Sequence, residues 1–198
     1  MKKDLKTALI LGFLIGVFFL PTIAFHISIT IPISILIIVA CVISTPILLI
    51  FFKFCGNYIK SLEQFGKFAA VGTLNSAIDI GVLNILMFLT GFNEGVFYAI
   101  FKSGSFFVSK INSYFWNKFW TFESTTKISF KEYLSFAFYT LVGAVINTSA
   151  ASFVVNYVKY KINLGITDSL WGVLGAVAGI LASFLWNFLS YRKIVFKT

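Results

Sequence analysis

Six apolar runs, each about 20 residues long, limit what this chain can fold into more than any other feature, because a run of about 20 apolar residues matches the thickness of a bilayer core. They cover 7–25, 31–52, 68–92, 96–116, 133–158 and 169–191. In lipid the backbone must satisfy its own polar groups, so runs of this length are read as helices. Only 12% of the residues are charged, against about 25% in soluble domains. The expected fold is an all-α membrane protein with six spans.

The basic residues orient those spans. Lys2, Lys3 and Lys6 precede the first run, and Lys53, Lys60 and Lys67 follow the second. Lys118, Lys127 and Lys131 follow the fourth, and Arg192, Lys193 and Lys197 the sixth. The opposite side holds only Lys159 and Lys161, while Lys102 and Lys110 fall inside the fourth run. Positive charge accumulates on the cytoplasmic side, so both termini are expected in the cytoplasm and the protein in the cytoplasmic membrane. The net charge of +9 is explained by this bias, without a nucleic-acid partner. "MKKDLK" followed by "TIA" also has the form of a cleavable leader. The length of the first run, and the second run close behind it, favour a retained span. Cys41, Cys55 and His26 form no metal, haem or disulfide spacing; the cysteines read as small apolar fillers.

Pro21, Pro32 and Pro46 all precede the polar stretch that starts at residue 53. Residues 1–52 therefore read as an added N-terminal hairpin, 53–62 as a cytoplasmic linker, and 63–198 as the functional unit. Within that unit a pattern recurs. "SYFWNKFWTF" (113–122) aligns with "NFLSYRKIVF" (187–196) at an offset of 74, pairing Tyr114 with Phe188, Lys118 with Arg192 and Phe122 with Phe196. Upstream, "EQFGKFAAVGTLN" (63–75) is similar to "KEYLSFAFYTLVGAVIN" (131–147). A hairpin used twice in the same orientation makes a parallel repeat. Tyr114, Trp116 and Trp120 are expected in the interfacial aromatic belt.

On "FGKFAAVGTLNSAIDI" (65–80), "NSYFWNKFWTF" (112–122), "EYLSFAFYTLVGAVIN" (132–147) and "NFLSYRKIVF" (187–196), the sequence resembles the GtrA-like family of four-span membrane proteins. The extra hairpin, Ser113 in place of an asparagine, and "SY" before Arg192 depart from the family pattern. The resemblance implies a role in polyprenyl-phosphate-linked sugar metabolism: moving a lipid-linked monosaccharide to the outer leaflet, where it decorates O-antigen, teichoic acid or similar polymers. It equally implies an alternative, since the same four-span unit anchors some polyprenyl-phosphate glycosyltransferases.

Charges inside a bilayer cost about 2.5–3.5 kcal/mol each and mark functional positions. Asp79 lies in the third run, and Lys102 and Lys110 lie in the fourth, joined by the tight "GFNEG" turn (91–95). One carboxylate and two ammonium groups leave one positive charge for an anionic ligand, such as the phosphodiester of a lipid-linked sugar. Lys102, Phe106, Ser109, Ser113 and Asn117 recur at helical intervals, as do Gly72, Asn75 and Asp79. The expected ligand set is Asn75, Asp79, Lys102, Lys110, Ser113, Asn117, Lys118, Asn187, Arg192 and Lys193. In it Lys118, Arg192 and Lys193 capture the headgroup at the cytoplasmic face. A structural role competes: Asp79–Lys110 as a pair locking the hairpin, and Lys102 snorkelling outward. Gly175 and Gly179, like Gly12 and Gly16, read as helix-packing or dimer contacts.

The remaining acidic residues, Asp4, Glu63, Glu94, Glu123, Glu132 and Asp168, sit at run ends or in loops. They form no paired-carboxylate or metal-binding set. No enzyme, cofactor or metal is expected. The leading function is translocation of a polyprenyl-phosphate monosaccharide, with a membrane glycosyltransferase as partner; a homodimer is one option, and the sequence does not decide the oligomeric state. The alternative is a non-transporting anchor for that glycosyltransferase. A small multidrug-type exporter with Asp79 as proton carrier has a similar span pattern, but wants an acid without nearby lysines.

Overall fold

The first apolar run forms α1 (Lys2–His26), and the second forms α2 (Ile31–Gly56), entered through a proline in its first turn. A missing N–H costs nothing at that position. The polar stretch that follows closes to a short turn, and α3 begins at Ser61 and runs to Thr90. Gly91 and Gly95, with φ of +73° and +64°, then reverse the chain into α4 (Gly95–Trp116). Two later helices, α5 (Phe130–Phe153) and α7 (Asp168–Ser190), are joined through a π-helical segment and the short α6 (Lys159–Lys161). Ser129 caps α5 by accepting from the Glu132 N–H at 3.1 Å, the S-x-x-E box of a helix start. This is a computed structural model. It describes residues 2–26, 29–59, 61–162 and 165–196, apart from the His26 side chain. Lys60 and Lys197 of the charge sorting, and the His26 side chain, lie outside the described residues.

Every element among the described residues is helical. Among the described residues, five helices are long and apolar enough to cross a membrane: Lys2–Phe25, Ile31–Gly56, Ser61–Thr90, Phe130–Lys161 and Asp168–Val195. The fourth expected span is not among them. With 22 residues, α4 reaches about 33 Å. It has the length, but its lysines, serines and asparagine lower its apolar content.

The chain divides into two compact units, Met1–Glu123 and Ser124–Thr198. In the first, α3 is the central helix. Ala70, Val71, Leu74, Ala77 and Ile78 of α3 pack with Ala8, Leu11 and Ile15 of α1, Leu49 of α2, and Trp120. Close approach is set by glycines. A Cβ on Gly12 would stand 2.5 Å from the Cys41 carbonyl oxygen, and one on Gly81 would overlap the Phe18 carbonyl oxygen. Thus the glycines of α1 close contacts within the unit. The outward faces stay apolar; Ile35, Ile43, Ile47 and Ile50 of α2 are all exposed, as suits helices whose solvent is lipid. In the second unit α5 and α7 pair through Gly143, Gly175 and Gly179, where an added Cβ would meet Asn187, Ala151 and Asn147 respectively.

Both units end in the same way. α4 passes into a π-helical turn at Asn117–Thr121, and α7 into one at Tyr191–Val195, 74 residues later. In each turn the closing phenylalanine N–H donates to the carbonyl of the turn's first residue, Phe122 to Asn117 at 2.9 Å and Phe196 to Tyr191 at 2.8 Å. Each of these rings is buried against a phenylalanine of the entering helix, Phe122 on Phe68 at 6.2 Å and Phe196 on Phe136 at 6.1 Å.

The glycine contacts are open to a direct check. Gly81→Leu should lower stability by about 1–3 kcal/mol through overpacking, read as a lower unfolding midpoint in detergent. Gly104 has nothing within 4 Å of an added Cβ, so Gly104→Ala should hold the midpoint or raise it, by about 0.5–1 kcal/mol.

Candidate functional site

The α3–α4 hairpin brings polar groups together within an otherwise apolar unit. Lys102 Nζ donates to Asp79 Oδ2 at 2.6 Å, and Ser105 Oγ donates to Asp79 Oδ1 at 2.6 Å. Both carboxylate oxygens are thus held by α4. Three residues separate Lys102 from Ser105, which puts them on one face of the helix. One turn back along α3, Asn75 Oδ1 accepts from Asn112 Nδ2 at 2.8 Å. The expected Asp79–Lys110 pair is therefore corrected to Asp79–Lys102. Lys102 does not snorkel free of a partner.

Lys110 has a different environment. Its ammonium stands 4.9 Å over the Phe106 ring, a favourable but soft cation–π contact. Among the described residues no carboxylate pairs with it. Eight residues separate it from Lys102, about 12 Å along the helix axis. Lys110 is the hairpin cation whose charge the Asp79 carboxylate does not match.

The exit turn differs from expectation. Lys118, expected at the membrane face, is 0% exposed, and Tyr114 and Trp120 are buried at 2% and 5%. These rings belong to the interior of the unit instead of an aromatic belt. The reason is the azimuth set by the π turn: residues 117, 118, 120 and 121 face inward, while Phe115 and Phe119 face outward and stack at 6.2 Å. Trp116 packs against the core beside Trp120. Asn117 Nδ2 donates to the Ser113 carbonyl at 2.8 Å and lies 3.2 Å from its hydroxyl, so these two expected residues do meet.

At the same end, Lys67 holds a cluster that sequence reading missed. Its ammonium contacts Asp4 Oδ1 and Glu123 Oε1, each at 2.8 Å, and stands 5.8 Å over the Trp120 ring. Lys53 and Glu63 pair at 3.6 Å. The starts of α1 and α3 and the second residue beyond the π turn are thereby tied together. Glu123 sits in the left-handed region at φ 49°, a conformation that side-chain-bearing residues adopt at a cost. A signal existed, since Lys67 lies eight residues before Asn75 and so shares its side of α3.

The second unit holds Asn187, Arg192 and Lys193. Asn187 contacts Gly143, and Lys193 is exposed while Arg192 is partly buried. Tyr191 donates its hydroxyl hydrogen to Thr140 at 2.5 Å, since Thr140 spends its own on the Phe136 carbonyl at 2.7 Å. Aligned through the two π turns, Lys102, Ser105 and Lys110 fall opposite Ala176, Gly179 and Phe184. Aligned through Phe68 and Phe136, Asp79 falls opposite Asn147, whose amide donates to Ser183 at 3.2 Å. At these aligned positions the second hairpin carries neutral residues where the first carries Asp79, Lys102 and Lys110.

A family model described as GtrA/DPMS, transmembrane domain, matches residues 67–196. No curated protein and no solved structure matches the chain. The match begins at Lys67 and leaves α1 and α2 outside it.

The pairing makes a quantitative demand. A double-mutant cycle of Asp79→Asn with Lys102→Met, read by unfolding in detergent, should return a coupling of about 1–3 kcal/mol. The same cycle with Lys110→Met should return clearly less.

Proposed function

The chain belongs to the GtrA/DPMS transmembrane-domain family, and on that premise we propose that it translocates a polyprenyl-phosphate-linked monosaccharide across the cytoplasmic membrane. A domain of this family fits a membrane protein that handles polyprenyl-phosphate sugars. The observation that carries the further step is Lys110: a cation inside the hairpin, over a phenylalanine ring, without a carboxylate partner among the described residues. A buried charge is tolerated when paired, and the phosphodiester of such a lipid supplies the missing anion. The isoprenoid tail stays in lipid, and the sugar follows the neutral amides and hydroxyls of Asn75, Asn112, Ser113 and Asn117.

In this reading α4 crosses the membrane as a sixth span, its polar stripe turned inward, and both termini are cytoplasmic. The distribution of lysine and arginine supports that orientation. The matched π turns support a parallel repeat, with a charged first copy and a neutral second one. The protein makes and breaks no bonds itself; a membrane glycosyltransferase that loads the lipid is its partner, and the sugar is destined for a cell-surface polymer such as teichoic acid.

Reconstituted in liposomes with a labelled polyprenyl-phosphate sugar, the wild-type chain should move label between leaflets faster than protein-free vesicles. Lys110→Ala should slow that movement about 10- to 100-fold, as loss of one charge-assisted contact of about 1.5–3 kcal/mol requires. Wild-type movement no faster than the blank would sink the proposal and leave the anchoring role.

A further inference from the structure

Five side-chain polar atoms among the described residues are buried without a hydrogen-bond partner, and three of them lie on one five-residue turn: Asn117 Oδ1, Trp120 Nε1 and Thr121 Oγ1. Their residues are at most 5% exposed. Buried polar groups are almost always satisfied, and each one left unpaired destabilises the fold. A π-helical turn is also a frequent companion of functional positions.

The second exit turn shows that the backbone does not require these atoms. It repeats the π geometry and the closing phenylalanine hydrogen bond. Yet it carries Tyr191, Ile194 and Val195 where the first carries Asn117, Trp120 and Thr121. Tyr191 is satisfied by Thr140, and isoleucine and valine have nothing to satisfy. At these three positions the turn is thus built once with its polar side chain paired or absent, and once with three left open.

We propose that the first exit turn is a recognition subsite for the uncharged, hydroxyl-bearing headgroup of the lipid, reached when the turn opens. The inference rests on the lipid-linked sugar reading above and adds the part of the site that reads the sugar. The chemistry fits a polyol. Trp120 offers an N–H donor, Asn117 an acceptor, and Thr121 a hydroxyl that can do either, a set that pairs with sugar hydroxyls and carries no charge of its own for a bare phosphate. A site built to hydrogen-bond a hydroxyl discriminates strongly against ligands lacking one, because its own groups are then left unpaired. The phosphate is held elsewhere, at Lys110, so headgroup and charge are read by separate residues.

The test uses the full-length protein in detergent and measures binding of polyprenyl phosphate, either bare or carrying glucose, galactose, mannose or N-acetylglucosamine. At least one sugar-bearing lipid should bind wild type about tenfold more tightly than the bare phosphate, the equivalent of one good hydrogen bond. Thr121→Val, which copies Val195, and Trp120→Phe should each bind the sugar-bearing and bare lipids alike while keeping the bare-lipid affinity. Thr121→Val should also unfold at a temperature no lower than wild type, because it removes an unpaired hydroxyl. The proposal is overturned if no sugar improves on the bare phosphate, if either variant keeps the wild-type preference, or if Thr121→Val unfolds earlier. Translocation measured in parallel separates the two readings. Sugar preference without translocation keeps the subsite and removes flipping; translocation without preference removes the subsite alone.

Discussion

The ion pair between Asp79 and Lys102 is the interaction on which the rest of the hairpin depends. It fixes the register of α3 against α4, since a carboxylate held on both oxygens by Lys102 and Ser105 admits little sliding. It also decides the charge of the interior. Asp79 is engaged by one lysine and one serine, so Lys110 is left without a carboxylate partner among the described residues. A hairpin with one acid and one base would be a structural lock. In the proposed reading, the additional base turns the lock into an arrangement that favours an anion.

Lys67 plays a comparable part at the end of the unit. Buried and held by Asp4 and Glu123, it joins the first turn of α1 to the turn that closes α4. The residues that match the family begin at this lysine. Through it the extra hairpin, which the family pattern lacks, is attached to the exit turn whose polar side chains are left open. Packing of α1 on α3 through Gly81 and Phe18 carries the same attachment along the helix.

Much of this architecture is legible in the sequence because lipid imposes a simple rule on run length, and five runs answer it directly. α4 is the exception for a physical reason: a helix that lines a polar seam gives up the apolar content by which spans are recognised. The likeness of the two exits is legible, since Lys118 and Arg192 align and each lies within a π turn. What the sequence does not carry is azimuth. Rise per residue puts both Lys102 and Lys110 within reach of Asp79, and only the facing of the helices selects Lys102. The same limit hides the burial of Lys118 and of the Trp120 ring, which the basic-aromatic pattern assigns to the membrane face. Lys67 escapes notice because its partners, Asp4 and Glu123, are 63 and 56 residues away and each alone looks like a loop acid.

The central claim is that Lys110 provides an anion site inside the hairpin. Native mass spectrometry of the protein released from micelles containing equal amounts of polyprenyl phosphate and the neutral polyprenol tests it most directly. The account predicts that wild type retains the phosphate lipid after the alcohol has dissociated, and that Lys110→Ala retains neither preferentially. Equal retention of the two lipids by wild type, or an undiminished phosphate preference in Lys110→Ala, would contradict it.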